Sequence, residues 1–498
     1  MSQLFYDENE TIKTAKDLAK KGLNNNAREV IHFGLQCFPD STPLLGLKAH
    51  VATEMRDFQS AVSALKKLLM RNSDDPKLLL GAAQAFSRLG EPDTALQYVQ
   101  QYIDVSPAGL KVHGLYAYAD IYERNNKPEK TIEIIENLNN QDADQLQWIF
   151  LKIRSLIALK QYEAAIDLVL KSRDRFENNA EDQHNPDTKY AVSFFLSKAY
   201  DKIGEYDKAW AAAEHAHALN DAIFDLNAYW AMFDKVETFL TKEIVDALAS
   251  GPKTEMEPLF IVGNPRSGTS LLEQILSMHT DVVNGGEMGI SCLMQFDLQR
   301  LTDSFHEYPT SLLDMKNTEA EVLSKSYLDA AQTFSNGEKI VTNKSLALHL
   351  QLGFLSKVLP SSRAILLHRH PLDNIVSCYT TNIIGSGHQY ANSIESLART
   401  WVTKQRMTDV CRDRLSIPML DLHYESLVLN QREETERILK FLNLDWQEDC
   451  IDFHKSTYVA RTISYDQVNQ KMYTSSQNRW KNYEKHLEPI MEMVQDYI

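Results

Sequence analysis

Cysteine is sparse in this chain. Its five residues, Cys37, Cys292, Cys378, Cys411 and Cys450, are scattered through 498 positions with no CxxC pair and no histidine cluster at ligand spacing. That pattern argues against a disulfide framework or a zinc site and for small buried thiols in a reducing compartment. Long apolar runs are also missing: no stretch approaches the roughly 18 apolar residues that a membrane span needs. The opening residues, MSQLFYDENETIKTAKDLAKKGL, are polar and lack the apolar core of a signal peptide. The expectation is a cytoplasmic protein without a membrane span. A basic excess is lacking as well, since 52 Lys and Arg face 68 Asp and Glu for a net charge of -16. Surfaces that bind nucleic acid or anionic membranes need the opposite balance, so neither is expected as a partner.

What is present is ordinary for a folded protein: 43% hydrophobic and 24% charged residues, in a chain too long for one core. Two or three domains are expected. From about Thr11 to Asn220, amphipathic helical stretches alternate with short polar turns, and one phrase recurs. It reads Phe58-Gln59-Ser60-Ala61-Val62, Pro92-Asp93-Thr94-Ala95-Leu96, Pro128-Glu129-Lys130-Thr131-Ile132, Tyr162-Glu163-Ala164-Ala165-Ile166 and Tyr206-Asp207-Lys208-Ala209-Trp210. Ala61 to Ala95 and Thr131 to Ala165 are each 34 residues, and Ala95 to Thr131 is 36. The tetratricopeptide period is 34, and small residues at these positions let paired helices approach closely. A more degenerate unit is expected over Thr11 to Pro39. The last interval stretches to 44, with the excess in a polar segment, Asp174 to Lys189, that reads as a solvated loop. Repeats of this kind form a concave surface for a protein or peptide, whose identity the sequence does not record. Asp221 to Pro258 reads as one or two helices followed by a short linker, with the domain boundary near Gly251.

The second half opens on Pro258 to Glu287. An apolar run from Leu259 to Val262 passes through Gly263-Asn264-Pro265-Arg266-Ser267-Gly268-Thr269-Ser270 and resumes at helical spacing as Leu271, Leu272, Ile275 and Leu276. Strand, glycine-bearing turn and helix in that order make an anion cradle, because the first N-H groups of the helix and the positive end of its dipole face the turn. A nucleotide triphosphatase loop would read GxxxxGK[ST]. Here Thr269 stands where its lysine belongs, and the cation comes earlier, at Arg266. The loop suits a phosphate-like group without the magnesium triphosphate apparatus.

Pro265-Arg266-Ser267-Gly268-Thr269-Ser270-Leu271-Leu272 resembles the 5'-phosphosulfate loop of the sulfotransferases, above all the branch that holds the tyrosylprotein sulfotransferases and bacterial proteins joining tetratricopeptide repeats to a sulfotransferase domain. The resemblance implies roles for residues further on. Asp281 to Glu287 reads as a short strand and tight turn delivering a carboxylate, and Glu287 matches the family's catalytic base. Lys339 to Ser345 reads as a strand running into Lys344, which matches the family's catalytic lysine at an Asn-Lys pair and would stabilise the leaving phosphate. Arg363 to Tyr379 reads as a strand followed by a helix opened by Pro371; Arg369 and Ser377 match the grip on the nucleotide's 3'-phosphate. The family usually has Asp after that arginine, where this chain has His370. Met419 to Leu427 reads as another strand ending in Tyr424-Glu425, and Tyr424 resembles the tyrosine bordering the nucleotide. Ser464, Arg479 and Trp480 fit a C-terminal segment that closes over it, with Lys471 an extra candidate.

The expected architecture is therefore an N-terminal tetratricopeptide-like helical solenoid (1–220), a helical linker (221–257) and a P-loop-like three-layer α/β domain with a parallel sheet (258–498). The expected reaction moves a sulfuryl group from 3'-phosphoadenosine 5'-phosphosulfate to an acceptor hydroxyl, with protein tyrosine or glycan as candidates and no metal. Arg266 and Ser267 to Ser270 would hold the 5'-phosphosulfate. His279 and His349 compete with Glu287 as base, since histidine's ordinary pKa suits neutral pH. Two other readings stay open: a repeat scaffold carrying an inactive nucleotide-binding domain, and a P-loop kinase-like enzyme.

Overall fold

The architecture is that of a computed structural model, which describes residues 7–55, 57–178, 188–384, 388–455, 472 and 476–498. Two compact units make up the chain, Met1–Gln161 and Tyr162–Ile498.

The first unit is helical throughout. Its helices are α1 (Glu8–Lys20), α2 (Asn24–Cys37), α3 (Thr42–Glu54), α4 (Phe58–Leu69), α5 (Pro76–Leu89), α6 (Pro92–Val105), α7 (Lys111–Arg124), α8 (Pro128–Glu136), the single turn α9 (Asn140–Ala143) and α10 (Leu146–Ala158). Each recurring phrase opens a helix: Phe58 starts α4, Pro92 α6 and Pro128 α8. Proline is tolerated there because a first-turn N-H has no intrahelical partner. The small residue three positions on is always at a helix contact: Ala61, Ala95 and Thr131 are all fully buried. Thr131 keeps its hydroxyl satisfied by donating to the Ala119 carbonyl at 2.8 Å.

The second unit begins with three more helices of the same kind, α11 (Tyr162–Glu177), α12 (Thr188–Lys202) and α13 (Tyr206–Ala218), followed by α14 (Leu226–Phe239) and α15 (Lys242–Ala247). Residues 179–187, which fall within the polar insertion, lie outside the described residues. A five-stranded sheet then forms from β1 (Glu257–Gly263), β2 (Val282–Val283), β3 (Ile340–Asn343), β4 (Arg363–His368) and β5 (Met419–His423), in the spatial order β2-β3-β1-β4-β5. All four pairings are parallel, as expected, with Phe260 opposite Asn343 and Gly263 opposite Leu367. The crossovers between strands carry α16 (Thr269–Leu276), α17 (Ile290–Thr302), α18 (Asn317–Gln332), α19 (Leu348–Val358), α20 (Pro371–Tyr379) and α21 (Ile394–Arg414), and α22 (Tyr424–Leu429) and α23 (Gln431–Leu442) follow β5.

Burial on both faces makes β1 and β4 nearly continuous apolar runs rather than alternating ones. Alternate residues of β1 serve opposite cores: Phe260 and Val262 join the core with α18, α19 and α21, and Leu259 and Ile261 join the one with α16 and α23. The result is helix, sheet, helix in three layers. From β1 the chain moves toward β2, and from β4 toward β5, so the direction of winding reverses between β1 and β4. Ligands in such sheets bind beyond the carboxyl ends of the strands at that reversal.

Candidate active site at the carboxyl edge of the sheet

Arg266 to Ser270, Glu287, Lys344, Arg369 and Tyr424 follow strand ends, and Ser377 lies on α20, the helix after β4. The loop after β1 turns through two left-handed residues, Arg266 (φ 65°) and Gly268 (φ 102°). A Cβ on Gly268 would come within 2.5 Å of the Tyr424 ring, and one on Gly263 within 2.6 Å of the Ser267 hydroxyl. Gly268 therefore answers to close approach as well as to conformation, and Gly263 to close approach alone. Gly268 is also the N-cap of α16 and offers no side chain to that helix's first N-H groups. Ser267, Thr269 and Ser270 are buried along the turn.

The loop after β4 meets this turn. Arg369 lies over the Tyr424 ring at 4.7 Å, donates through Nη1 to the Arg266 carbonyl at 2.5 Å and through Nη2 to the Ser476 carbonyl at 3.0 Å. Arg266 Nε donates to the Ser377 hydroxyl at 3.2 Å, and the Tyr424 and Ser476 hydroxyls are 2.7 Å apart. From α20, Asn374 donates to the Pro265 carbonyl at 2.9 Å. Two arginines, a buried serine and a tyrosine thus converge on one turn. Ser267 Oγ and Arg369 Nε are among the buried side-chain atoms that have no hydrogen-bond partner among the described residues, and both lie at this turn.

His370 takes a different place from the acid the family puts there. Its backbone N-H donates to Glu425 at 3.0 Å, and its ring stacks on Trp480 at 5.7 Å and 10°. The acidic anchor comes three residues later: Asp373 accepts from the backbone N-H groups of Asn478 (2.7 Å) and Trp480 (2.8 Å). Arg479 is turned away from the arginine cluster, onto Asp201. Ser464 and Lys471 lie outside the described residues.

A second cluster sits at the ends of β2 and β3. Lys344 Nζ is 3.2 Å from Glu287 Oε1 and 3.8 Å from Glu273 Oε2. The lysine and Glu273 are each only 3% exposed, whereas the Glu287 side chain is 47% exposed and so can meet an incoming acceptor. Glu273 is the residue that sequence reasoning missed. Its carboxylate accepts from the Thr342 hydroxyl at 2.7 Å and the Gly286 N-H at 2.9 Å. Burial pushes its pKa up, against the lowering influence of Lys344 and these two donors. The available signal was a lone acid in the apolar run Leu271-Leu272-Glu273-Gln274-Ile275-Leu276. One helical turn separates Glu273 from Thr269 and Ser270, so α16 joins the two clusters: its first turn belongs to the anion loop and its second touches the lysine.

The competing histidines are otherwise engaged. The His279 ring bonds the Asp445 carbonyl through Nε2 at 3.0 Å and accepts from the Asp281 N-H at Nδ1 at 3.1 Å. His349 is buried on α19, where burial and the neighbouring Lys404 push its pKa down to about 3.

Comparison with known proteins identifies the families of the two parts of the chain. Residues 258–448 match the Sulfotransferase family and residues 12–142 the Tetratricopeptide repeat family. The chain therefore joins N-terminal tetratricopeptide helical repeats to a C-terminal sulfotransferase-family domain with a parallel five-stranded sheet. It is 26% identical over 317 residues to an uncharacterized protein of Aquifex aeolicus, covering 62% of this chain and 42% of that one. It is 25% identical over 224 residues to protein-tyrosine sulfotransferase 1 of Danio rerio, covering 43% of this chain and 61% of that one. The chain thus spans about half the length of these relatives. Among solved structures, the sulfotransferase domain from the curacin biosynthetic pathway aligns at 14% identity with a TM-score of 0.33, covering 48% of this chain and 99% of that domain.

Proposed function

We propose that the chain transfers a sulfuryl group from 3'-phosphoadenosine 5'-phosphosulfate to an acceptor hydroxyl. The observation that carries this reading is the convergence of Arg266, Ser377, Arg369 and Tyr424 on the β1 turn, with the Lys344–Glu287 pair at the adjacent strand ends. Arg266 and the residues from Ser267 to Ser270 receive the 5'-phosphosulfate on the first turn of α16. Arg369 and Ser377 receive the 3'-phosphate, which separates this donor from ATP, and a planar guanidinium suits that group. Trp480 braces His370, and Arg479 acts at one remove.

In the transfer, the acceptor oxygen forms a bond to sulfur as the bond from sulfur to the bridging phosphate oxygen breaks. Glu287 takes the acceptor's proton, and Lys344 meets the charge that develops on the departing phosphate. By analogy with phosphoryl transfer, positioning and charge supply most of the rate. Glu287 is preferred over His279 and His349 because its carboxylate is accessible beside the lysine, whereas both histidines are buried. The first acceptor to try is a tyrosine side chain in a peptide, because several relatives are protein-tyrosine sulfotransferases; a glycan hydroxyl is the alternative. The repeats would present that protein or another partner.

The test is release of adenosine 3',5'-bisphosphate from the donor in the presence of tyrosine peptides, simple phenols and glycans. Glu287→Gln should slow release by about 100-fold or more, the usual range for losing a general base, and leave bisphosphate affinity near that of the wild type. Turnover retained in Glu287→Gln would reject the carboxylate as base.

A further inference from the structure

The helical hairpin α12–α13, spelled like the other repeats, is built into the back of the donor site. Trp210 of α13 packs on Tyr379, the last residue of α20, at 4.6 Å and on Tyr483 at 5.7 Å. His217, also on α13, bonds the Tyr379 carbonyl through Nε2 at 3.0 Å. The contact of most consequence is on α12. Asp201, whose side chain is 9% exposed, accepts three hydrogen bonds on one oxygen: from Arg479 Nε at 3.0 Å, Arg479 Nη2 at 2.7 Å and the Tyr483 hydroxyl at 2.6 Å.

These bonds fix one end of a strut. The segment from Ser476 to Tyr483 is held at its far end by Asp201 and in its middle by Asp373. At its near end Ser476 offers its carbonyl to Arg369 and its hydroxyl to Tyr424. Arg369 has two backbone carbonyls to orient its guanidinium, that of Arg266 and that of Ser476. The second depends on where the strut stands.

We propose that Asp201 is a positioning residue for the donor site: through Arg479 and Tyr483 it seats Ser476 against Arg369 and so sets the affinity for the donor's 3'-phosphate. The proposal rests on the donor assignment above. Its physical basis is that charge-assisted bonds to a nearly buried carboxylate are strong and geometrically exacting, and that removing the carboxylate leaves a guanidinium that is only 24% exposed without its counter-charge. It also makes the last helical hairpin of the repeats part of the machinery that holds the donor, so a shift of α12 would be read as a change in donor affinity.

The experiment is calorimetric titration of the full chain with adenosine 3',5'-bisphosphate and, separately, AMP. Asp201→Asn should weaken the bisphosphate about tenfold or more, the order expected when a charge-assisted bond is lost, and AMP much less. Tyr483→Phe, which keeps the ring packing, should give a smaller loss in the same direction, and it decides the matter if Asp201→Asn does not fold. Asp207→Asn, on the same hairpin, loosens exposed pairs with Lys485 and His486 beyond the strut and should change neither ligand. Unchanged bisphosphate affinity in both Asp201→Asn and Tyr483→Phe, or equal weakening of both ligands, overturns the proposal while leaving the donor assignment intact. A wild-type chain that does not bind the bisphosphate overturns both.

Discussion

Burial fixes the protonation of several side chains, and two histidines make that measurable. His217 and His349 are held neutral by burial, with pKa values pushed from 6.5 down to about 4 and about 3. The unfolded chain takes up protons near pH 6.5 and the folded chain only well below it. Their contribution to stability is therefore complete above pH 6.5 and is lost as the pH falls from there toward 4 and 3. Between pH 7 and 5 each should cost about 2 kcal/mol. Denaturant melts at the two pH values should show this loss in the wild type and a smaller one in His217→Gln or His349→Gln. Identical slopes in wild type and variants would contradict the assignment. The residues legible in the sequence were those that a strand end delivers, such as Arg369 after β4 and Lys344 after β3, because a local pattern places them. Asp201 was not legible: its partners lie 278 and 282 positions away, and no local pattern records such a pairing. Glu273 lay between the two cases, visible as a lone acid in an apolar helix but with its partners on other elements.

Among the elements, the turn from β1 into α16 carries the tightest constraints. Gly268 combines a left-handed φ of 102° with a Tyr424 ring 2.5 Å from where a Cβ would stand. Gly268→Ala should therefore lower stability by about 1–3 kcal/mol, the usual cost of such backbone strain, and displace Tyr424, weakening bisphosphate binding in the same step. Thermal melts and titration of this one variant check both, and an unaltered melting temperature with full binding would show that the turn relaxes freely. The helices themselves were readable because the recurring phrase encodes both a start and a contact. Phe58, Pro92, Pro128, Tyr162 and Tyr206 each open a helix, and Ala61, Ala95, Thr131, Ala165 and Ala209 are all fully buried. β1 and β4 were readable because both faces of the sheet are covered there, which turns each into an apolar run with little alternation to confuse with a helix. From Arg479 onward the chain offered less, since helical turns of three to five residues leave no pattern to read.

Taken whole, the molecule puts the proposed donor site where a parallel sheet reverses its winding, and puts helical repeats before it in the chain. The repeat period could show that α12 and α13 are repeat-like helices. It could not show what they cover, because a helix with small residues at its contact positions looks the same whether it packs on another repeat or, as Trp210 does, on Tyr379 and Tyr483. The central claim concerns the donor, and one titration addresses it most directly: adenosine 3',5'-bisphosphate into the wild-type chain, into Arg369→Ala, and with AMP replacing the bisphosphate. Binding that needs both the 3'-phosphate and Arg369 is the predicted result. Equal binding of AMP, or bisphosphate binding undiminished in Arg369→Ala, would contradict it.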